Sequence, residues 1–318
     1  MAKTRVSVEG RSGAVGRALP QLVVVTGKGG VGKTTVAALV GSVLARGGRR
    51  VLVLEVDPRE SLHLAFAAAP SGGAVVPAEP RLAFQNLQPR AVLDALVRER
   101  LKIGMLVRRT LKSPIYEHFV EGAPGLRELA ILGHALRVLR AGEAETVVLD
   151  APATGHGLAL LRAPTLVSKV IGKGPIGALA GELATFVSDG SACRVAVVTR
   201  PEELPLQESL ELIAELSGLG LAPAFLVANG VVPALSTADA RRAERDGDAI
   251  DVLWRERRAL AERVLARLAG GPLAEAGGVE IPVLRLPLLP HALGPALLRG
   301  LGAPWAEEWD ALSEKPWG

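Results

Sequence analysis

Nine consecutive residues, Gly27-Lys28-Gly29-Gly30-Val31-Gly32-Lys33-Thr34-Thr35, combine flexible backbone with cationic and hydroxyl side chains. They follow the apolar run Leu22-Val23-Val24-Val25 and open a helix-like stretch from Lys33 to Arg46. A loop between a buried strand and a helix N-terminus aims several backbone N–H groups at one point, where the helix dipole also favours negative charge. The glycines let the backbone wrap a phosphate chain. Lys33 can reach the β- and γ-phosphates, and the Thr34 hydroxyl can sit on Mg²⁺. Gly27 to Thr35 therefore predict a nucleoside triphosphate site.

Lys28 is an extra cation at the outer end of that loop. Phosphoryl transfer needs positive charge where negative charge builds, and a partner subunit often supplies it. From this position a lysine reaches a nucleotide across a dimer interface more readily than its own. The alternative is a solvated surface lysine.

Two carboxylates end apolar runs. Asp57 closes Val51-Leu52-Val53-Leu54-Glu55-Val56-Asp57, placing it at the carboxyl edge of a sheet, where ligands of such folds sit. It can orient the attacking water or join the magnesium shell, or it can cap a helix beginning near Arg59. Asp150 ends Thr146-Val147-Val148-Leu149, the pattern of a Walker-B aspartate. A lone carboxylate at a buried strand end is costly without a cation. The segment after it, Ala151-Pro152-Ala153-Thr154-Gly155-His156-Gly157, reads either as a hinge responding to the γ-phosphate or as an ordinary strand-to-helix turn.

These residues need a frame. Short apolar runs alternate with longer helical stretches, the βαβ signature of a doubly wound, mostly parallel sheet flanked by helices. The strands are expected at 22–26, 51–56, 82–87, 146–150, 194–199, 224–228 and 280–286. Two of them, 51–56 and 146–150, lack polar alternation, so helices should cover both faces. Residues 1–20 read as an N-terminal arm and 21–302 as one domain built around the phosphate-binding loop. Helical insertions at about 89–141 and 157–190 form a subdomain, and 303–318 read as a C-terminal tail.

Composition narrows the classes. Among 318 residues, 49% are hydrophobic and 3% aromatic, so aliphatic side chains must build the core. The net charge of +4 is scattered, which predicts no specific nucleic-acid partner. No apolar run is long enough for a bilayer, and Met1-Ala2-Lys3-Thr4-Arg5 lacks the apolar core of a signal peptide. A cytoplasmic protein without direct membrane insertion is expected. The single cysteine, Cys193, cannot form an intrachain disulfide or a one-chain thiolate cluster.

Taken in order, the motifs resemble the ArsA-type ATPases, the arsenite-pump and tail-anchored-protein targeting members of the deviant Walker A P-loop group. Asp57-Pro58-Arg59-Glu60-Ser61 is similar to their first switch, Asp-Pro-Ala-His-Ser. Asp150-Ala151-Pro152-Ala153-Thr154-Gly155-His156-Gly157-Leu158 is similar to their second, Asp-Thr-Ala-Pro-Thr-Gly-His-Thr-Leu. Pro124-Gly125-Leu126-Arg127-Glu128 and Pro201 to Pro205 match further elements. Asn229, in Val227-Ala228-Asn229, corresponds to an adenine-recognising asparagine, and Pro287-Leu288-Leu289-Pro290 to a purine-covering loop.

The resemblance implies a Mg²⁺-dependent ATPase, producing ADP and phosphate, that works as a homodimer or as a heterodimer with a paralogue. Lys28 would reach the opposite nucleotide and Asp57 would position water. Thr34, Asp57 and Asp150 would hold Mg²⁺, partly through water. Asp57, Pro58, Asp150, Pro152, Thr154, Gly155 and His156 would form the switches that reshape inserted helices around a client, for which a membrane protein is a candidate. Energising an anion efflux pump and positioning cargo, as partition and division-site ATPases do, are the alternatives. The departures also matter. One cysteine cannot assemble a thiolate site for arsenite or a subunit's share of an iron-sulfur cluster. The region where targeting factors carry a zinc-binding Cys-x-x-Cys reads Arg241-Arg242-Ala243-Glu244-Arg245. No zinc and no iron-sulfur cluster are expected.

Overall fold

The structure, a computed structural model, describes residues 20–57, 59–101, 104–113, 122–152, 156–171, 174–221, 223–234, 249–269 and 281–313. An eight-stranded sheet is ordered β3-β4-β2-β5-β1-β6-β7-β8. Its strands are β1 (Leu22–Thr26), β2 (Val51–Glu55), β3 (Val76–Glu79), β4 (Leu82–Asn86), β5 (Thr146–Asp150), β6 (Cys193–Thr199), β7 (Phe225–Val231) and β8 (Val283–Pro287). All neighbours pair in parallel except β3 with β4. The fold is the doubly wound, mostly parallel α/β arrangement of a P-loop NTPase, with β1 between β5 and β6.

The seven expected strands overlap seven of these, with ends that differ by up to three residues. β3 is the addition, and its sequence hides it. Val76-Pro77-Ala78-Glu79 carries a proline, which cannot donate to a ladder and is tolerated only at an edge. The strand occupies that edge, and none of its residues is fully buried.

Side-chain alternation along β1 divides the core. Leu22 and Val24 face one hydrophobic layer, and Val23 and Val25 face the other. All four are fully buried, and each such aliphatic side chain stabilises the fold by about 1.5–3 kcal/mol relative to exposure. One layer is closed by α1 (Lys33–Arg46) and α10 (Pro295–Ser313), through Val36, Leu39, Val40, Leu298, Leu301 and Trp305. The expected 302/303 boundary falls inside α10, and Trp305 is only 1% exposed. The stretch after 302 continues a core-facing helix because its first tryptophan fills the space beside Leu301.

The opposite layer is roofed by α5 (Leu126–Arg140), α6 (His156–Val170), α7 (Pro175–Ser188), α8 (Glu203–Gly218) and α9 (Ala249–Ala269). Leu132, Leu160, Leu183, Ile213 and Val264 belong to this layer. The helices after β5 thus lie directly on the sheet. α3 (Pro89–Leu101) meets α5 through Leu93, Leu126 and Ala130, and α4 (Gly104–Leu111) leads on from it. A short helix, α2 (Leu62–Phe66), follows β2. Among the described residues no helix is long and apolar enough to cross a membrane.

Candidate active site

Because β1, β2, β4, β5, β6 and β7 run in parallel, their carboxyl ends share one edge of the sheet. Thr26, Glu55, Asn86, Asp150 and Thr199 close five of those strands there. In doubly wound folds this edge is where ligands bind.

Gly27 to Gly32 form the turn between β1 and α1. Two glycines are required by what surrounds them. At Gly27, φ is 148°, and a Cβ would lie 2.4 Å from the Val198 carbonyl oxygen. At Gly32, φ is 93°, and a Cβ would lie 2.1 Å from Asn229 Nδ2. The loop is therefore drawn tightly against β6 and β7. α1 begins at Lys33 with neither a side-chain cap nor an acidic residue in its first turn. Its leading N–H groups are left for an external anion. Val31 is buried beneath the loop, while Gly29 and Gly30 are exposed on top of it. Thr35, half-buried, follows Thr34 in the first turn of α1.

The two lysines diverge. Lys33 Nζ folds back and donates to the Lys28 carbonyl at 2.9 Å, and burial lowers its pKa, against the attraction of Asp150 and Asp57. Lys28 Nζ lies 3.5 Å from Glu208 Oε1 on α8, with the lysine side chain 42% exposed.

Asp150 is the most perturbed carboxylate described. It is 6% exposed, and burial pushes its pKa up to about 7, against the hydrogen bond from Thr34. Thr34 Oγ1 donates to Asp150 Oδ2 at 2.6 Å, and Oδ1 is buried with no hydrogen-bond partner among the described residues. A lone pair left bare at the foot of a phosphate-binding loop is what a divalent cation would satisfy. The donor set, a hydroxyl and a carboxylate, suits the oxygen preference of Mg²⁺. The residues present fit that ion.

Asp57 is exposed just beyond β2. Its Oδ1 accepts from the Arg59 N–H at 2.8 Å, and its carbonyl accepts from Asn86 Nδ2 at 2.8 Å. The helix expected near Arg59 begins instead at Leu62, because a different acid caps it. Glu55 accepts from the backbone N–H groups of Ser61 and Leu62 and from the Ser61 hydroxyl. It is 1% exposed, and burial raises its pKa. Sequence reading passed over Glu55. The available signal was an acid closing a wholly apolar strand two residues before Asp57.

Asn229 lies in β7, and its Nδ2 donates to the Val31 carbonyl at 2.8 Å, bracing the loop. Pro287 ends β8, the Leu288 N–H donates to the Val231 carbonyl at 2.7 Å, Leu289 packs on the α1 layer, and Pro290 is exposed. Pro152 follows β5 and is half-buried, and α6 starts at His156. Pro58, Thr154, Gly155 and the 241–245 segment lie outside the described residues. The structure thus gathers the loop, Asp150 and Asn229 directly, with Asp57 on the same sheet edge. Cys193 stands apart at the start of β6, buried, its thiol pushed up to about 12 by burial.

The model of the anion-transporting ATPase family matches residues 20–181. The chain belongs to the ArsA-type, anion-transporting ATPase family. It is 31% identical over 245 residues to the ATPase BagA of Mycobacterium tuberculosis, covering 73% of this chain and 72% of that protein. Similarity to the arsenical pump-driving ATPase of Acidiphilium multivorum is 29% over 312 residues, covering 91% of this chain and 50% of that protein. An ATPase ASNA1 homologue of Cryptosporidium parvum is 30% identical over 153 residues, 48% of this chain and 40% of that protein. As an ArsA-type ATPase the chain is an ATP hydrolase, and ATPases of this type use ATP and Mg²⁺.

Proposed function

We propose that the chain hydrolyses ATP in a dimer whose closure completes each active site, and that the cycle drives a conformational switch for a client. The observation that carries this reading is the divergence of the two lysines. Lys33 turns inward on the loop, while Lys28 leaves it toward α8. A cation held outside its own phosphate cradle is placed to serve a cradle presented by a second chain.

In this reading the Gly27–Thr35 backbone and Lys33 bind the β- and γ-phosphates. Asn229 and the 287–290 loop take the purine, with Asn229 exchanging its bond to Val31 for one to adenine. Thr34 and Asp150 would hold Mg²⁺, with Asp57 reaching it through water, and the ion would supply positive charge against the phosphate oxygens. Asp57 orients a water whose oxygen attacks the γ-phosphorus. The bond to the bridging oxygen breaks, ADP leaves, and the water's proton ends on phosphate. Lys28 of the partner subunit neutralises the charge that develops on the transferred group. The segments after Asp57 and Asp150 act as switches that report the γ-phosphate to the helices above the sheet.

What supports a client role is an open cleft of about 1160 Å³ lined by α3, α5 and α7. Leu87, Val92, Leu136 and Leu179 line it, with His134 and Gln85 among its polar groups. It borders Gly73 and Gln85, next to the segment that carries Asp57. Driving an anion pump is the second reading, favoured by the similarity to arsenical pump-driving ATPases.

Kinetics of two variants test the proposal. Lys28→Ala should keep ATP binding and lose most turnover, with wild-type turnover per chain rising as protein concentration rises. Asp57→Asn should bind ATP and stall. Normal turnover by either variant, or a wild-type rate independent of concentration down to the lowest assayable level, would remove the corresponding part.

A further inference from the structure

Asp57 is exposed, and one hydrogen bond from its own turn is all that the described contacts give its side chain. A catalytic carboxylate needs firmer placement, because an error of about 1 Å can cost on the order of 100-fold in rate. The support comes through the backbone, by a series of hydrogen bonds that starts at Glu60, three residues on in the chain, and ends at the Asp57 carbonyl.

Glu60 Oε2 accepts the Ser71 N–H at 2.5 Å, and Oε1 accepts the Gly72 N–H at 2.9 Å. Successive N–H groups on one carboxylate form charge-assisted bonds, stronger than neutral ones. Ser71 Oγ, buried, accepts the N–H groups of Asn86 at 2.8 Å and Gly73 at 3.2 Å. Asn86 Nδ2 then donates to the Asp57 carbonyl, and Asn86 pairs in register with Glu55. The covalent chain joins Asp57 to Glu60, and the hydrogen bonds through Ser71 and Asn86 close the ring back on Asp57. Gln85 Nε2 fastens the same turn from the other side, through the Gly73 carbonyl at 2.8 Å.

We propose that Glu60 is a positioning residue for hydrolysis: by clamping the 71–73 turn it sets, through Ser71 and Asn86, where Asp57 stands. The inference rests on the reading that Asp57 orients the attacking water. Glu60 touches no reacting atom, so its loss acts on kcat and spares nucleotide binding. The circuit also predicts non-additivity, since removing any link opens the ring.

The test compares steady-state ATPase kinetics and nucleotide affinity of full-length Glu60→Ala, Glu60→Gln, Ser71→Ala and the double variant Glu60→Ala/Ser71→Ala. Glu79→Ala is the control, because Glu79 also accepts a side-chain hydrogen bond, from Ser42 at 3.0 Å, without touching the circuit. Each single alanine variant should lower kcat about 10-fold with the KM for ATP within about twofold, and the double variant should fall no further than the lower single. Glu60→Gln keeps one acceptor and turns an amide N–H₂ against the second donor, so its kcat should lie between. It also carries the test should Glu60→Ala fail to fold. Wild-type kcat in Glu60→Gln, additive losses, or an equal loss in Glu79→Ala would each overturn the clamp. Asp57→Asn separates the two layers. If it turns over normally, the water-orienting reading fails; if it is dead while Glu60→Gln is fully active, only the clamp fails.

Discussion

Replacing Asp150 by asparagine should abolish a fall in the metal-free protein's stability between about pH 5.5 and about pH 8, while destroying its response to magnesium nucleotide. In the folded chain the carboxyl keeps its proton up to about pH 7; in the unfolded chain it ionises near its ordinary value of 3.8. Between those values the folded state binds more protons, so stability falls as pH rises, by about 1.4 kcal/mol per pH unit for this group. From about pH 5.5 to about pH 8 wild type should lose about 2 kcal/mol through Asp150, and the asparagine variant should lose none of it. Any fixed cost of the amide, whose N–H₂ group occupies the place of the unpartnered Oδ1, cancels in that difference. Urea denaturation with chelator at the two pH values measures it. Adding Mg²⁺ with a non-hydrolysable ATP analogue should raise the wild-type midpoint at about pH 8 and leave the variant's unchanged. A stability difference between the two proteins that does not change with pH would refute the reasoning, as would equal stabilisation by magnesium nucleotide.

Gly32→Ala forces a side chain into positive φ and against Asn229, so it should destabilise the nucleotide-free protein by about 2–3 kcal/mol in urea denaturation. Adding Asn229→Ala should recover only the part due to the clash, and a fully stable Gly32→Ala would contradict the packing described. Because the Cys193 thiol is raised to about 12, native protein at about pH 8 should resist iodoacetamide until unfolded. Cys193→Ser should keep full ATPase activity, and a large loss would reopen thiol chemistry. Glu208→Gln releases Lys28 from an exposed pair worth at most about 1 kcal/mol. It should lower the protein concentration giving half-maximal turnover about two- to fivefold, and an unchanged value would make the pair a bystander.

The parts of this molecule that could be read in sequence are those built locally. The phosphate loop is one continuous segment with a buried strand before it and a helix after it, so letters and context sufficed. Asp150 was legible because a carboxylate after Val-Val-Leu has few inexpensive fates. The central strands were legible because two-sided burial removes polar alternation. What escaped depends on distant pairings. β3 is concealed by Pro77, which only an edge can accommodate. Trp305 stands among acids and reads as a tail, yet it packs against α1 more than 250 positions away in the chain. Glu55 and Glu60 belong to a charged patch whose partners, Ser61, Ser71 and Gly72, are set by how the chain turns after β2. The pairing of Lys28 with Glu208 spans most of the fold.

Mixing two inactive variants decides whether Lys28 completes the site of a second chain. In a heterodimer of Lys28→Ala with Asp57→Asn, one site holds an intact Asp57 and receives an intact Lys28 from across the interface. The other site lacks both. Equimolar mixing and re-equilibration should therefore restore about a quarter of the wild-type rate, since about half the dimers are mixed and half their sites complete. If the mixture stays as inactive as its components while forming dimers, Lys28 serves its own nucleotide and the shared-site mechanism is wrong.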